Sequence, residues 1–209
     1  MSGRDPDLDG AYALRTPEDS RRYYRDWAEN YDTDFAKATG YRLPSLVCAA
    51  FAAAGGQGPI LDLGAGTGLL AEALAARGLG PVDGVDISAD MLGVAGAKGV
   101  YRALYEADLT AALPLPDAAY DGIVSSGTFT HGHVGPEAFD EVLRVARPGA
   151  RMCFSVNMGV FAEAGFDRKL AALGNRIGEV VLEEEAIYGG AAPEGHAGDS
   201  AAILRFCKR

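Results

Sequence analysis

A short apolar run that breaks into alternating glycines constrains this chain more than any other feature. Pro59-Ile60-Leu61-Asp62-Leu63 reads as a short buried strand, and Gly64-Ala65-Gly66-Thr67-Gly68 follows directly. Glycines at alternate positions let the backbone turn tightly and come close to a ligand. Leu69 to Ala76 then reads as a helix with Gly78 as its C-cap. The first N–H groups of such a helix have no partner within it. Strand, glycine turn and helix in succession form the opening unit of a parallel sheet.

The same texture runs on through the chain. Strands are predicted over 82–86, 101–107, 120–125 and 151–156. Between them, Ser88 caps a helix that runs through Met91 towards Lys98, and Glu137 to Ala146 forms another, stopped by Pro148-Gly149. Asp167 to Leu173 sits in a further helix. No helix separates the last two strands, 179–188 and 201–207, so they are expected to pair antiparallel. Alternation of strand and helix predicts an α/β fold with a mostly parallel sheet. In such a sheet a ligand lies beyond the carboxyl ends of the strands, at the switch point, where the glycine loop also falls.

The first fifty-odd residues have no strand signal. Residues 1–15 read as a tail. Thr16 then caps a helix, with Pro17 in its first turn and Glu18 and Asp19 at the positive end of its dipole. Tyr24, Trp27, Tyr31 and Phe35 share one face of that helix, and Pro44 to Ala54 forms a second, shorter one. The division is therefore a tail and helical lid over 1–57 and an α/β domain over 58–209.

A chain of 209 residues, 48% hydrophobic and 23% charged, suits one domain with a short appendage. A formal charge of −10 repels phosphate backbones and anionic lipid. Nucleic acid and membrane are thus not expected as partners, and a small molecule is; oligomeric state is not legible. Cys48, Cys153 and Cys207 are too scattered for a disulfide framework or a zinc site. No leader-like start or apolar run of about 18 residues stands out, so a cytoplasmic protein is expected.

Acidic side chains narrow the ligand. Asp62 precedes the glycine turn, Asp86 closes the second strand and Asp108 closes the third. Asp86, about twenty residues past the loop, can accept from both hydroxyls of a ribose, and Asp108 from an exocyclic amine. A dinucleotide fingerprint would need glycine at position 69, where this chain has leucine. Three carboxylates around one crevice suit a cationic, adenosine-containing ligand better than a phosphate.

With those residues in place, 58–156 resembles the core of a class I S-adenosylmethionine-dependent methyltransferase. The matching segments are ILDLGAGTGLL (60–70), VDGVDIS (82–88), YEADLT (105–110), YDGIVSSGTFTHGHV (120–134) and EVLRVARPGARMCFSV (141–156). The stretch YYRDWAENYDTDFAKATGYR (23–42) is similar to the methyltransferase-like proteins of the Williams–Beuren type. The resemblance implies a Rossmann-like seven-stranded, mostly parallel sheet with a reversed C-terminal hairpin, helices on both faces and an N-terminal helical lid. It implies S-adenosyl-L-methionine as cofactor and S-adenosyl-L-homocysteine as product. Gly64, Ala65, Gly66 and Gly68 would run under the methionine part, and Asp62 would face its ammonium. Asp86 would hold the ribose, with Ile87 and Met91 packing nearby. Asp108 and the Leu109 N–H would meet the adenine. Ser125 would approach the amino-acid end, and Tyr31 and Arg42 would close over the carboxylate.

Methyl transfer needs orientation more than acid–base chemistry, so the chain need not contain a strictly catalytic residue. His131 and His133 follow the fourth strand and are candidate bases for a protonated acceptor. Their H-x-H spacing has no third partner, so no metal is expected. The favoured function is methyl transfer to an O, N or C nucleophile of a small molecule. The alternatives are an NAD(P)-linked oxidoreductase and a non-catalytic cofactor-binding protein.

Overall fold

The computed structural model describes residues 10, 11, 14, 16–28, 30–132, 134–190 and 192–209. Its centre is a seven-stranded sheet in the order β3-β2-β1-β4-β5-β7-β6. The strands are β1 (Ile60–Leu63), β2 (Val82–Asp86), β3 (Ala103–Glu106), β4 (Tyr120–Phe129), β5 (Ala146–Asn157), β6 (Val181–Ala186) and β7 (Ser200–Cys207). β1 to β5 run parallel, and β7 lies antiparallel between β5 and β6. Chain order reverses at β1, which pairs with β2 on one side and β4 on the other. Loops leaving β1 and β4 therefore diverge and open a crevice at their carboxyl ends.

Successive strand residues point to opposite faces, so each face has its own core. Leu61 and Leu63 join Ile123, Met152, Phe154 and Phe206 on one face, where α5 (Ala138–Val145) and α7 (Phe166–Leu173) pack. Its centre is a ring cluster in which Phe139 lies 5.4 Å from Phe129 and 5.6 Å from Phe154. Ile60, Val124, Cys153 and Ile203 face the other way, against α2 (Leu43–Ala53) and α3 (Leu69–Ala75). α4 (Ala89–Ala97) adds Met91 to that side. Phe51 of α2 is fully buried there, a burial that contributes about 2–3 kcal/mol.

The N-terminal segment belongs to this second core, through Trp27 and Phe35. Its helix, α1 (Pro17–Trp27), starts where expected: the Thr16 hydroxyl accepts the Asp19 N–H at 3.1 Å. It does not run on to Phe35. It ends at Trp27, and Tyr31–Lys37 is a π-helical stretch. The wider turn still brings the stripe together, because Trp27 lies 5.1 Å from Tyr31 and 5.2 Å from Phe35.

Two other boundaries differ from the sequence expectation. β4 continues to Phe129, and β5 begins at Ala146 rather than Arg151. Pro148-Gly149 therefore sits within β5, where the pairing jumps from Tyr120↔Ala146 to Gly122↔Arg151. Gly149, at φ +85°, supplies the left-handed turn that this bulge needs. α6 (Met158–Phe161) is a single short turn between β5 and α7, and a 3-10 turn (Gly174–Arg176) follows α7.

Candidate active site

Strand β1 delivers its chain into a turn that only glycine can make at two points. Gly64 has φ +67°, and a Cβ there would stand 2.0 Å from Thr128 Oγ1 on the β4 loop. Gly68, at φ +93°, caps α3 and is pressed by the Tyr101 ring. Gly66 is different. It too is left-handed, at φ +53°, yet a Cβ on it would meet nothing within 4 Å. Its open side belongs to a cavity.

Asp86 ties this turn to β2. Its Oδ2 accepts the Gly66 N–H at 2.8 Å and its Oδ1 accepts the Ser88 N–H at 2.9 Å. Burial pushes the Asp86 carboxyl above the usual range, and backbone N–H groups of Ser88, Gly66 and Ile87 pull it back. With three of its four lone-pair sites so engaged, the carboxylate keeps acceptor capacity for a ligand. Asp108 accepts the Thr110 N–H at 2.8 Å and its hydroxyl at 2.7 Å, which fixes the carboxylate after β3.

A cavity of about 300 Å³ joins these pieces. Its floor is Gly64, Ala65, Gly66 and Thr67; its β2 and β3 side is Asp86, Ile87, Met91, Asp108, Leu109 and Thr110. Ser126, Gly127 and Thr128 close the β4 side, and Tyr24, Tyr31 and Tyr41 cover it from the N-terminal segment. Nine expected residues thus share one wall system: Tyr31, Gly64, Ala65, Gly66, Asp86, Ile87, Met91, Asp108 and Leu109.

Five others do not line it. Ser125 is fully buried and donates to the Leu63 carbonyl at 2.7 Å; its neighbour Ser126 faces the cavity instead. Arg42 is drawn off to β6, where it donates to the Ala186 carbonyl at 3.2 Å and to Glu185 at 3.3 Å. Gly68 lies behind the loop, and His131 is outside the lining. His133 falls outside the described residues. Asp62 lies beneath the loop, on the same strand face as Ile60. Its Oδ2 accepts the Tyr101 hydroxyl at 2.8 Å, and its Oδ1 has no partner among the described residues. Burial pushes this carboxyl up to about 7; the Tyr101 bond lowers it, and the Asp86 charge raises it further.

Sequence reasoning missed one connection entirely. Thr67 on the loop donates to Asp32 of the π-helical stretch, and Lys98 bonds to Asp32 at 2.5 Å and to Glu72 at 2.6 Å. Tyr41, over the cavity, and Tyr101, on Asp62, have no sequence signature, because lone tyrosines carry no local motif.

The sheet order, the glycine turn and the carboxylates beside it are those expected of a class I S-adenosylmethionine-dependent methyltransferase domain, and the known proteins that this chain is similar to are of that kind. Residues 61–154 match the methyltransferase domain family. The chain is 36% identical over 138 residues to methyltransferase-like protein 27 of Homo sapiens, a match covering 64% of this chain and 56% of that protein. It is 40% identical over 98 residues to demethylmenaquinone methyltransferase of Thermus thermophilus, covering 44% of each. The chain thus matches about half the length of these curated relatives. Among solved structures, a SAM-dependent methyltransferase from Aquifex aeolicus superposes with a TM-score of 0.60 at 20% identity, over 88% of this chain and 98% of that one. Among the described residues no helix is long and apolar enough to cross a membrane.

Proposed function

We propose that the protein transfers a methyl group from S-adenosyl-L-methionine to a nucleophilic atom of a small molecule. One observation carries the reading: a single cavity brings the open side of Gly66 together with the carboxylates of Asp86 and Asp108. Asp86, held by its backbone bonds, turns its remaining acceptor capacity to the ribose hydroxyls. Asp108 and the Leu109 N–H meet the adenine edge, with Ile87 and Met91 against its faces. Gly64, Ala65 and Gly66 give the backbone approach that the amino-acid end requires. Asp62, beneath the loop, supplies negative potential from below rather than a contact. Tyr31 is the lid residue of this set; Arg42 acts only by holding the segment to β6, Ser125 by bracing the end of β1, and Gly68 by starting α3.

The cofactor supplies an activated methyl group on a sulfonium; the chain orients the acceptor and keeps water out. No base is needed for an acceptor that is nucleophilic as bound. The acidic chain, −10 overall, favours a small organic acceptor over a nucleic acid. Residues 1–57 are then tail and helical lid, and 58–209 the transferase domain. The three thiols are free, which fits a cytoplasmic setting.

The test is calorimetry with S-adenosylhomocysteine and with NAD, followed by incubation of a metabolite extract with labelled methyl donor and mass analysis of the product. Homocysteine-adduct binding without NAD binding, and a labelled product, are expected. NAD binding in its place overturns the reading and restores the oxidoreductase, which Leu69 already disfavours. Binding without any labelled product leaves a non-catalytic cofactor-binding protein.

A further inference from the structure

Beside the main cavity the fold holds a smaller chamber of about 50 Å³. Seven of its fourteen lining residues are aromatic, in a chain that is 9% aromatic. Trp27 lies 5.1 Å from Tyr31, Phe35 lies 5.3 Å from Tyr41, and Tyr41 lies 6.3 Å from Tyr188. These rings come from α1, from the π-helical stretch and the residues after it, and from the segment between β6 and β7, so they bound the chamber from several directions. Their backbone is fixed: Tyr41 and Tyr188 form a β-bridge, and the Arg42 N–H donates to the Ile187 carbonyl at 2.9 Å. Apolar packing by itself asks only for bulk, which aliphatic side chains supply as well. The chamber has three of those, Ala11, Leu43 and Ile187; what is concentrated here is ring surface.

Charge narrows the ligand. A ring face carries partial negative charge, and Trp and Tyr are strong partners for a cation. Among the described residues no Lys, Arg or His lines the chamber to repel a cation, and no Asp or Glu to hold a strongly hydrated one. The wall from β4 and β5 adds oxygen: Thr130 Oγ1 is buried there with no hydrogen-bond partner among the described residues. An anion would be desolvated with nothing to meet it, and a bare ammonium would trade a full shell of water for rings and one hydroxyl. A methylated ammonium spreads its charge over its methyl groups, has less hydration to lose and meets rings on several sides. The chamber has room for about three or four waters, the bulk of a trimethylammonium head. The chain's charge of −10 raises the local concentration of such a cation.

We propose that this chamber binds the methylated ammonium group of a small cationic molecule, among the rings of Trp27, Tyr41 and Tyr188. The group is held there and not altered, so the site stands apart from the methyl-transfer reading. Trp27 is the chain's one tryptophan, and neither it nor Tyr188 lines the main cavity, so both report on the chamber itself. The protein without cofactor is titrated with choline, with neohexyl alcohol, which puts carbon in place of the nitrogen, and with the tert-butylacetate anion. Trp27 fluorescence and calorimetry are followed together. Choline should give a saturable change, and the alcohol and the anion should bind roughly tenfold more weakly or worse. Tyr188→Leu keeps apolar bulk and removes a ring; it should cut the choline-to-alcohol affinity ratio roughly fivefold, while Tyr188→Phe keeps that ratio within about twofold. A choline titration silent by both methods, or alcohol or anion bound as tightly as choline, overturns the proposal. So does a ratio unchanged in Tyr188→Leu; should that variant fail to fold, the parent's ratio decides. With no cofactor present, none of these outcomes depends on whether S-adenosylhomocysteine binds.

Discussion

Thr67 donates its hydroxyl to Asp32 across a separation of 35 residues, at 2.5 Å. The bond joins the loop that would cradle a cofactor to the segment that covers it. Asp32 is shared with Lys98, which also holds Glu72 of α3. The lid is thus pinned at the glycine turn, one residue from Tyr31. Asp32→Ala leaves Lys98 with Glu72 but strands the Thr67 hydroxyl. A charged hydrogen bond at a half-exposed site contributes about 1 kcal/mol, so S-adenosylhomocysteine should bind roughly fivefold more weakly. Proteolysis across residues 28–42 should quicken in parallel. An unchanged dissociation constant, by calorimetry, would show that the lid and the loop are not coupled.

The glycine loop makes a contrasting pair of predictions. Gly64→Ala puts a methyl group against Thr128 in a left-handed backbone. Strain of about 1–2 kcal/mol plus the clash should lower the melting temperature by roughly 5–10 °C. Gly66→Ala has the same backbone strain but open space, so its melting temperature should fall only about 2–4 °C. Its methyl group enters the cavity, and S-adenosylhomocysteine affinity should drop roughly tenfold or more. If Gly66→Ala binds as the parent does, the loop does not lie against the ligand.

Asp86 performs a structural task and a binding task with one carboxylate. Asp86→Ala removes the acceptors for Gly66 and Ser88 as well as those offered to a ribose. Two charge-assisted bonds are worth about 3 kcal/mol together, which predicts roughly a hundredfold loss of S-adenosylhomocysteine binding. Asp108→Ala loses only the bonds to Thr110 within the protein and should melt near the parent, with a smaller binding loss. Equal affinity in Asp86→Ala and the parent would remove the nucleoside from the β2 end.

Residues that act through local pattern were legible in the sequence. The strand before Gly64, the Ser88 cap and the strand-end carboxylates of Asp86 and Asp108 all follow from spacing, and the structure sets the two carboxylates on one cavity. What escaped depends on geometry that spacing does not encode. The break after Trp27 does not show, because the π-helical stretch keeps the aromatic stripe together despite a different turn. Ser126 rather than Ser125 faces the cavity because neighbours along β4 point opposite ways and Ser125 turns its hydroxyl to the Leu63 carbonyl. The Lys98–Asp32 pair spans 66 residues and has no sequence signature. The resemblance sets Asp62 facing the ammonium of the ligand; in the structure the alternation of β1 puts it on the Ile60 face, bonded to Tyr101.

That buried position gives Asp62 a measurable pH signature. Its carboxyl sits near 7 in the folded protein, against about 3.8 in its ordinary state. Between those values the folded chain holds a proton that the unfolded chain has released. Stability from this group is therefore full below about pH 4 and is lost as pH rises towards 7, above which it levels off. Asp62→Asn keeps an oxygen for the Tyr101 hydroxyl but cannot ionise. Its melting temperature should match the parent near pH 4 and exceed it increasingly as pH rises to 8. Asp86 is shifted in the same direction, so a shallower slope remains in the variant. A positively charged ligand above the loop favours the ionised carboxyl, so S-adenosylmethionine binding at pH 6.5 should release protons in the parent and fewer in Asp62→Asn. Thermal denaturation across pH 4–8.5 and calorimetry in two buffers of different ionisation enthalpy read both effects. Parallel melting curves for parent and variant would mean that Asp62 is already ionised in the folded state, and its placement under the loop would then need another counter-charge.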